Sequence, residues 1–472
     1  MELNLVFPFL LAILLGFSLC ANLAINQEVR SIALWVAPAT GIGVTALLFY
    51  LWSIAFYPTF APQVYIGLEL LLAFFALSIF IYRLRRKGEK ERVQPAFSPE
   101  KRLRWETALL GLVFAVCLGL FALSFVQHLR DSPYGEWDAW AVWNLRARYI
   151  FLGGAEWRNA FSEYLHGADY PVLISMAIAR NWTLVGRDVQ AVPQILAGIF
   201  AFSTVGLLIS ALSKARGRSQ GLIAAIVLTS TPAFLYWSAN QYADIPLGFY
   251  FLAAAAFIYI YNTSQSPAPQ YLAVTGLMGG LALWTKNEGV FLVAGLLSAQ
   301  AGYFVFKKRS LGNLREWIWF AIGILPALIL LASFKLFVAP TNYVFNQSAS
   351  SLLEKLLSWS RYKAVTLAFR DEFFSFGDWL VPLLPLLLFY AVFTGFDLGK
   401  IRQEKKALAI LGITLAMIFL AYMAAYVITP LPMDWQIRQS IDRLVLQIFP
   451  SGLLLLFLMI CNPLPESDQR VP

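Results

Sequence analysis

The sequence predicts an all-α polytopic membrane protein of about thirteen transmembrane helices, with a long external first core loop carrying interfacial helices. Three observations predict it. Of 472 residues, 59% are hydrophobic and only 13% charged, where a soluble domain carries about a quarter charged residues. Apolar runs of about 17 to 25 residues, long enough to cross ~30 Å of hydrocarbon, recur along the chain. Basic residues gather in the short connectors between those runs, as cytoplasmic loops do under the positive-inside rule. A backbone in lipid must satisfy its hydrogen bonds internally, so runs of this length are helices and too long for barrel strands.

The runs fall near 4–24, 32–52, 61–82, 106–127, 192–212, 221–239, 246–262, 271–285, 289–306, 317–339, 379–396, 407–428 and 444–462. The first lacks a basic leader and a small-residue cleavage site and reads as a retained span. Arg83, Arg85, Arg86, Lys87, Lys90, Arg92, Lys101, Arg102 and Arg104 form one basic connector. Lys214, Arg216 and Arg218 form the next, followed by Lys307, Lys308, Arg309 and Arg315, then by Lys400, Arg402, Lys405 and Lys406. With these on the cytoplasmic side, alternation sends His128–Gln190, the tip near Asp244, the Trp284–Gly289 turn, the Pro340–Asp378 loop and Thr429–Arg443 outside. Segments 137–150 and 171–187, and Leu352–Phe369, mix aromatic, aliphatic and basic residues as interfacial helices do. Pro95 and Pro99 in the first basic connector mark a boundary between an N-terminal three-span unit with its linker (1–104) and a core (105–462), followed by a short cytoplasmic tail (463–472).

The formal charge of +9 sits in connectors and leaves no basic face for nucleic acid, which is not an expected partner. Cys20, Cys117 and Cys461 lie far apart in or beside apolar runs. With only His128 and His166 in the chain, a His/Cys metal cluster is excluded, while a carboxylate-bound divalent cation, Mg or Mn, stays open.

Polar chemistry concentrates in five stretches. In "GEWDAWAVWNLRARYI" (135–150), Asp138 sits among three tryptophans with Glu136 nearby. Partial desolvation there suits a general base, and pairing with Arg146 or Arg148 is the plain structural alternative. In "EYLHGADYP" (163–171), His166 and Asp169 can orient a hydroxyl or cap the next helix. In "NQYADIPLGFY" (240–250), Asp244 is either an N-cap or a functional carboxylate on the same face as Asp138. "LWTKNEG" (283–289) breaks an apolar run and offers Lys286, with Glu288 beside it, as a seat for a lipid phosphate. "TPLPMDWQIRQSIDRLVLQIFP" (429–450) offers Arg438 and Arg443, whose forked guanidinium suits phosphate oxygens. Two charges lie deeper: Lys335, near enough to the outer edge to snorkel, and Glu69, with no evident partner.

Taken in this order, the five stretches resemble bacterial membrane proteins of the type-C glycosyltransferase superfamily, which includes protein O-mannosyltransferases and aminoarabinose transferases. The resemblance covers roughly residues 106–462 and leaves out the first three spans. It implies a polytopic enzyme of the inner (plasma) membrane that takes a sugar from a polyprenyl-phosphate-linked donor, with inversion. The acceptor would be a glycan, lipid or protein on the external face. An acidic residue in the first large external loop is central to catalysis in that superfamily. Asp138 matches it, and Asp244 matches a second acidic position. Lys286, Glu288, Arg438 and Arg443 would serve the phosphate end, and His166 and Asp169 the acceptor. The superfamily's two adjacent acids are replaced here by Glu136-Trp137-Asp138, so which acid is the base, and whether a metal takes part, stays open. The rival class, a lipid or sugar transporter or flippase, would place charges at the midplane and paired broken helices in two related halves. A scaffold whose tryptophan-rich loop binds a partner is a third class.

Overall fold

The computed structural model describes residues 3–22, 29–56, 62–90, 105–264, 268–303, 314–342, 344, 346–379 and 381–464. Most of the basic linker (Arg92 to Arg104), the connector residues Lys307 to Arg309 and most of the tail lie outside the described residues. The described chain is helical, with one isolated bridge between Phe396 and Ile460. In order come α1 (Leu3–Ala21), α2 (Arg30–Ala55), α3 (Pro62–Lys90), α4 (Trp105–Asp131), α5 (Asn144–Leu152), α6 (Leu173–Val185), α7 (Ala191–Arg216), α8 (Arg218–Ser230), α9 (Pro232–Ala239), α10 (Asp244–Thr263), α11 (Gln270–Thr285), α12 (Gly289–Tyr303) and α13 (Leu314–Phe337). Then follow α14 (Ala349–Leu357), α15 (Trp359–Ser375), α16 (Leu383–Thr394), α17 (Leu398–Gln403), α18 (Lys405–Ile428) and α19 (Met433–Met459).

Among the described residues nine helices are long and apolar enough to span a membrane: α1, α2, α3, α4, α7, α10, α13, α18 and α19. The pair α8 and α9, bent by 67°, makes a tenth. The bend falls at Thr231, held extended (φ −77°, ψ 113°) because the ring of Pro232 disfavours helical geometry in the residue before it. The polytopic all-α reading holds, with three of the expected runs forming helices too short to count as full spans. The turn at Lys286 leaves α11 and α12 with 16 and 15 residues, and Pro382 and Gly395 confine α16 to 12.

The axis of the bundle is α10, buried from Asp244 to Tyr261. Its run Ala253–Ala256 lets neighbouring backbones approach closely, as small residues do between membrane helices, and α7, α11, α18 and α19 pack around it. At one end of this shell Arg216 donates to Glu404 (2.6 Å) and to the Leu458 carbonyl (2.6 Å), while Tyr259 donates to Glu404 (2.7 Å). That knot ties α7, α10, α18 and α19 together. The candidate site lies at the other end.

Segment 171–187, expected at the interface, is instead buried from Leu173 to Trp182. The reason is a partner distant in sequence. Arg180 on α6 grips Glu69 on α3 through both carboxylate oxygens, Nε to Oε1 at 2.7 Å, and also donates to the Pro8 carbonyl at 3.1 Å. Glu69 and Arg180 are 0% and 1% exposed, so each is tolerated only because of the other. The pair joins α3 to α6, and the Pro8 carbonyl adds α1 to the same contact. Glu69→Gln leaves a buried guanidinium uncompensated and is expected to lower stability by about 3–5 kcal/mol, read as thermal unfolding in detergent. A double variant with Arg180→Met should recover much of that loss.

Candidate active site

Asp138 starts a single π-helical turn, Ala139–Trp143, closed by the Asn144 N–H on the Ala139 carbonyl. Such wide turns re-aim side chains and are frequent at functional sites. Its effect here is to split the tryptophans. Trp137 and Trp140 stay half-exposed while Trp143 enters the core, so the three do not form the single interfacial band that their spacing implies. Gly135 sets the approach. Its φ is +73°, and a Cβ there would meet the Asn240 carbonyl at 2.5 Å, so only glycine lets this loop lie against the loop before α10.

That second loop is held in a strained conformation. Gln241 has φ 61°, a region non-glycine residues seldom occupy. It is fixed there by donating to the Pro133 carbonyl (3.1 Å) and accepting from Asn144 (3.0 Å). The backbone N–H of Asp138 then donates to the Tyr242 hydroxyl at 3.0 Å. Strain of this kind persists where the surroundings over-determine it, as at active sites.

Around this junction five charged groups meet from four parts of the chain. Arg443 on α19 donates to the Asp138 carboxylate and stands 3.8 Å from Asp244. Its guanidinium lies over the rings of Tyr242 (5.2 Å) and Trp237 (5.5 Å), an arrangement that favours a cation. Lys286, at the end of α11, donates to Asp244 at 2.9 Å and pairs with Glu288 at 3.0 Å. Burial works against the charge of Lys286, yet Asp244 and Glu288 hold the ammonium protonated above its ordinary range. Gln447, one turn beyond Arg443, donates to Asp244 at 2.5 Å and accepts from Tyr422 at 2.5 Å. Two buried polar atoms of this cluster, Arg443 Nε and Glu288 Oε2, have no hydrogen-bond partner. Gly289 permits the sharp turn at Lys286, since a Cβ there would lie 2.2 Å from the Ala282 carbonyl.

A second polar knot adjoins the first through the Lys286-Asn287-Glu288 turn. Asp169 accepts from Asn287 (3.0 Å) and Asn342 (2.5 Å). Lys335 reaches inward to the Asp169 carbonyl and donates to Asn287 at 2.8 Å rather than snorkelling outward. Arg146, one of the two expected partners of Asp138, instead holds the 166–171 turn through the Gly167 and Tyr170 carbonyls. The other, Arg148, pairs with Asp188 at 2.8 Å.

Residues 169–336 match the dolichyl-phosphate-mannose-protein mannosyltransferase family. The resemblance read from the motifs is thus borne out over the middle of the chain. The matched segment holds Asp244, Lys286 and Glu288 of the first cluster and Asp169 and Lys335 of the adjoining knot, while Asp138 and Arg443 reach the first cluster from either side of it. Among solved structures the chain is similar to the crystal structure of ArnT from Cupriavidus metallidurans bound to undecaprenyl phosphate, at 13% identity and a TM-score of 0.44. That similarity covers 74% of this chain and 60% of that one, so the chain spans less than two thirds of that protein's length. No curated protein matches the sequence.

Of the expected site residues, Asp138, Asp244, Lys286, Glu288 and Arg443 converge, and Asp169 lies in the adjoining knot. Three do not join them. Arg438 is exposed and sits outside the cluster, since five residues of helix turn it away from the face that carries Arg443. His166 is exposed and meets only the edge of Trp137, 4.9 Å between ring centres. Glu136 faces Tyr236. Asp244 is the first residue of its helix and caps nothing; its carboxylate is spent on Lys286 and Gln447. Gln447, Tyr242, Trp237 and Tyr422 were not anticipated. For Gln447 a signal existed, since it lies four residues after Arg443 and so on the same helix face.

Glu372 on α15, half-buried, is pushed up to about 7 by burial and by the neighbouring Asp442 and Asp378 carboxylates. Its value in the folded chain therefore lies above its ordinary 4.5, so the folded state holds this proton longer than the unfolded one. Stability is expected to fall as pH rises from about 4.5 to about 7, an effect reduced by solvent at a half-exposed site. Glu372→Gln should flatten that part of the stability–pH curve in detergent.

Proposed function

We propose that the protein is an inverting membrane glycosyltransferase that moves a sugar from a polyprenyl-phosphate-linked donor to a hydroxyl acceptor on the external side of the inner membrane. The observation that carries this reading is the convergence of Asp138, Asp244, Lys286 and Arg443 at one end of the bundle, around a segment that matches a mannosyltransferase family. In a single displacement Asp138 takes the proton of the acceptor hydroxyl, whose oxygen bonds to the anomeric carbon. The bond from that carbon to the phosphate oxygen breaks, and its electron pair stays on the departing polyprenyl phosphate. Arg443 and Lys286 offset the charge that grows there. A preorganised donor of this kind contributes on the order of a hundredfold in rate. The acceptor is a glycan, a lipid or a protein bearing a free hydroxyl.

We propose that the cationic side chains, rather than a divalent cation, compensate charge at this site. Asp138 Oδ2 is engaged by Arg443 and Asp244 Oδ1 by Lys286, and among the described residues no group of three His, Cys, Asp or Glu is placed to hold a metal ion. The charge compensation that a Mg or Mn ion supplies elsewhere falls here to the two cationic side chains.

Mass spectrometry of cell-envelope glycans from a deletion strain is expected to show one glycosyl substituent missing, restored by the wild-type gene. Unchanged glycans, together with transport of a labelled sugar-lipid by purified protein in liposomes and no covalent product, would replace this reading with a flippase.

A further inference from the structure

We infer that Arg443 is a partner-exchanging residue: it pairs with Asp138, and the donor's phosphate competes with Asp138 for it, freeing the carboxylate to act as base. The inference rests on the glycosyltransferase reading and adds an order of events to it.

The two assigned roles draw on one positive charge, that of Arg443, which already faces Asp138 and Asp244. Arg443 Nη1 donates to Asp138 Oδ2, and Nη2 is occupied by the Gln439 carbonyl at 2.9 Å. Of the five N–H donors of Arg443, one on Nη1 goes to Asp138, one on Nη2 to Gln439 and the one on Nε has no partner, and a carboxylate bound to a guanidinium is a weak acceptor of a further proton. A phosphate oxygen that needs Arg443 must compete with Asp138.

Which partner yields follows from how each is held. Arg443 is fixed by two aromatic faces, by the Gln439 carbonyl and by the field of buried Asp244. Asp138 is the more exposed member, 25% against 13% for Arg443 and 1% for Asp244. Apart from the ion pair, Asp138 is anchored through its backbone N–H on Tyr242, which leaves its side chain free to rotate. Charge favours the exchange. In the ion-paired set three carboxylates, Asp138, Asp244 and Glu288, face two cations, Lys286 and Arg443, and Asp442 adds a further carboxylate beside them. An incoming phosphate repels Asp138 and is attracted to the cation that Asp138 occupies. A donor that lacks a phosphate cannot perform the exchange, so the pair also selects for a phosphate-bearing lipid.

The test is the affinity of purified full-length protein in detergent for undecaprenyl phosphate, measured by thermophoresis or calorimetry, for wild type, Asp138→Asn and Asp138→Ala. Removing the competitor raises the fraction of chains with an available Arg443, so both variants should bind more tightly, on the order of tenfold. Asp188→Asn, which removes one carboxylate from the exposed pair with Arg148, should leave affinity unchanged. Equal tightening in that control would assign the effect to overall surface charge and overturn the exchange. Unchanged or weaker binding in the Asp138 variants, with melting temperatures at the wild-type level, would also overturn it. Wild-type protein that binds no polyprenyl phosphate at any concentration would instead overturn the glycosyltransferase reading itself.

Discussion

Asp138→Asn is expected to lower sugar transfer by about 10²- to 10⁴-fold, the usual contribution of a positioned general base, while leaving the fold intact. The amide keeps the size of the carboxylate, and the backbone N–H still reaches Tyr242. Asp138 is a quarter exposed, so the change buries no new polar group. Arg443 remains compensated by Asp244 at 3.8 Å and by the two rings. Loss of rate therefore reports on chemistry rather than on unfolding. Initial rates at saturating donor separate the effects, with kcat falling while KM for the donor does not rise. A fully active Asp138→Asn protein would reject this residue as the base. Glu136→Gln, altering a side chain that faces Tyr236, should change the rate little.

Asp244→Ala is expected to lower stability by about 3–5 kcal/mol and to abolish transfer with it. Asp244 is the shared counter-charge of the site, accepting from Lys286 and Gln447 and facing Arg443. At 1% exposure its removal admits no water to replace it, and a buried cation stripped of its partner is among the costlier point changes. Adding Lys286→Met to the variant removes the stranded ammonium. The double variant should melt well above Asp244→Ala while staying inactive, because neighbouring charges do not act additively. Thermal unfolding in detergent and the transfer assay read the two effects separately.

Much of this site was legible in the sequence, and the failures share one cause. Asp138, Asp244, Lys286 and Arg443 could be proposed because each breaks a local rule, a charge or a turn placed at the margin of an apolar run. Their pairing could not. Asp138 and Arg443 are 305 residues apart, and local reasoning offered Arg146 and Arg148, which turn out to serve the 166–171 turn and Asp188. Arg180 misled in the same way. Its charge marked α6 as interfacial, whereas Glu69 on α3 neutralises it inside the bundle. Periodicity also misjudged the tryptophans, because a π-helical turn changes the angular step that the spacing assumes. Hydropathy found the helices, including the two short ones on either side of the Lys286 turn.

The last helix has a consequence for how the protein is made. α19 delivers Arg443 and Gln447 to one end of the bundle and, through the Leu458 carbonyl, completes the Arg216 knot at the other. During synthesis every earlier span reaches the membrane before either end can close. Until α19 inserts, Asp244 has Lys286 but neither Arg443 nor Gln447, and the groove that α19 fills beside α10 stands open. The two ends of the bundle therefore close together, when α19 packs beside α10.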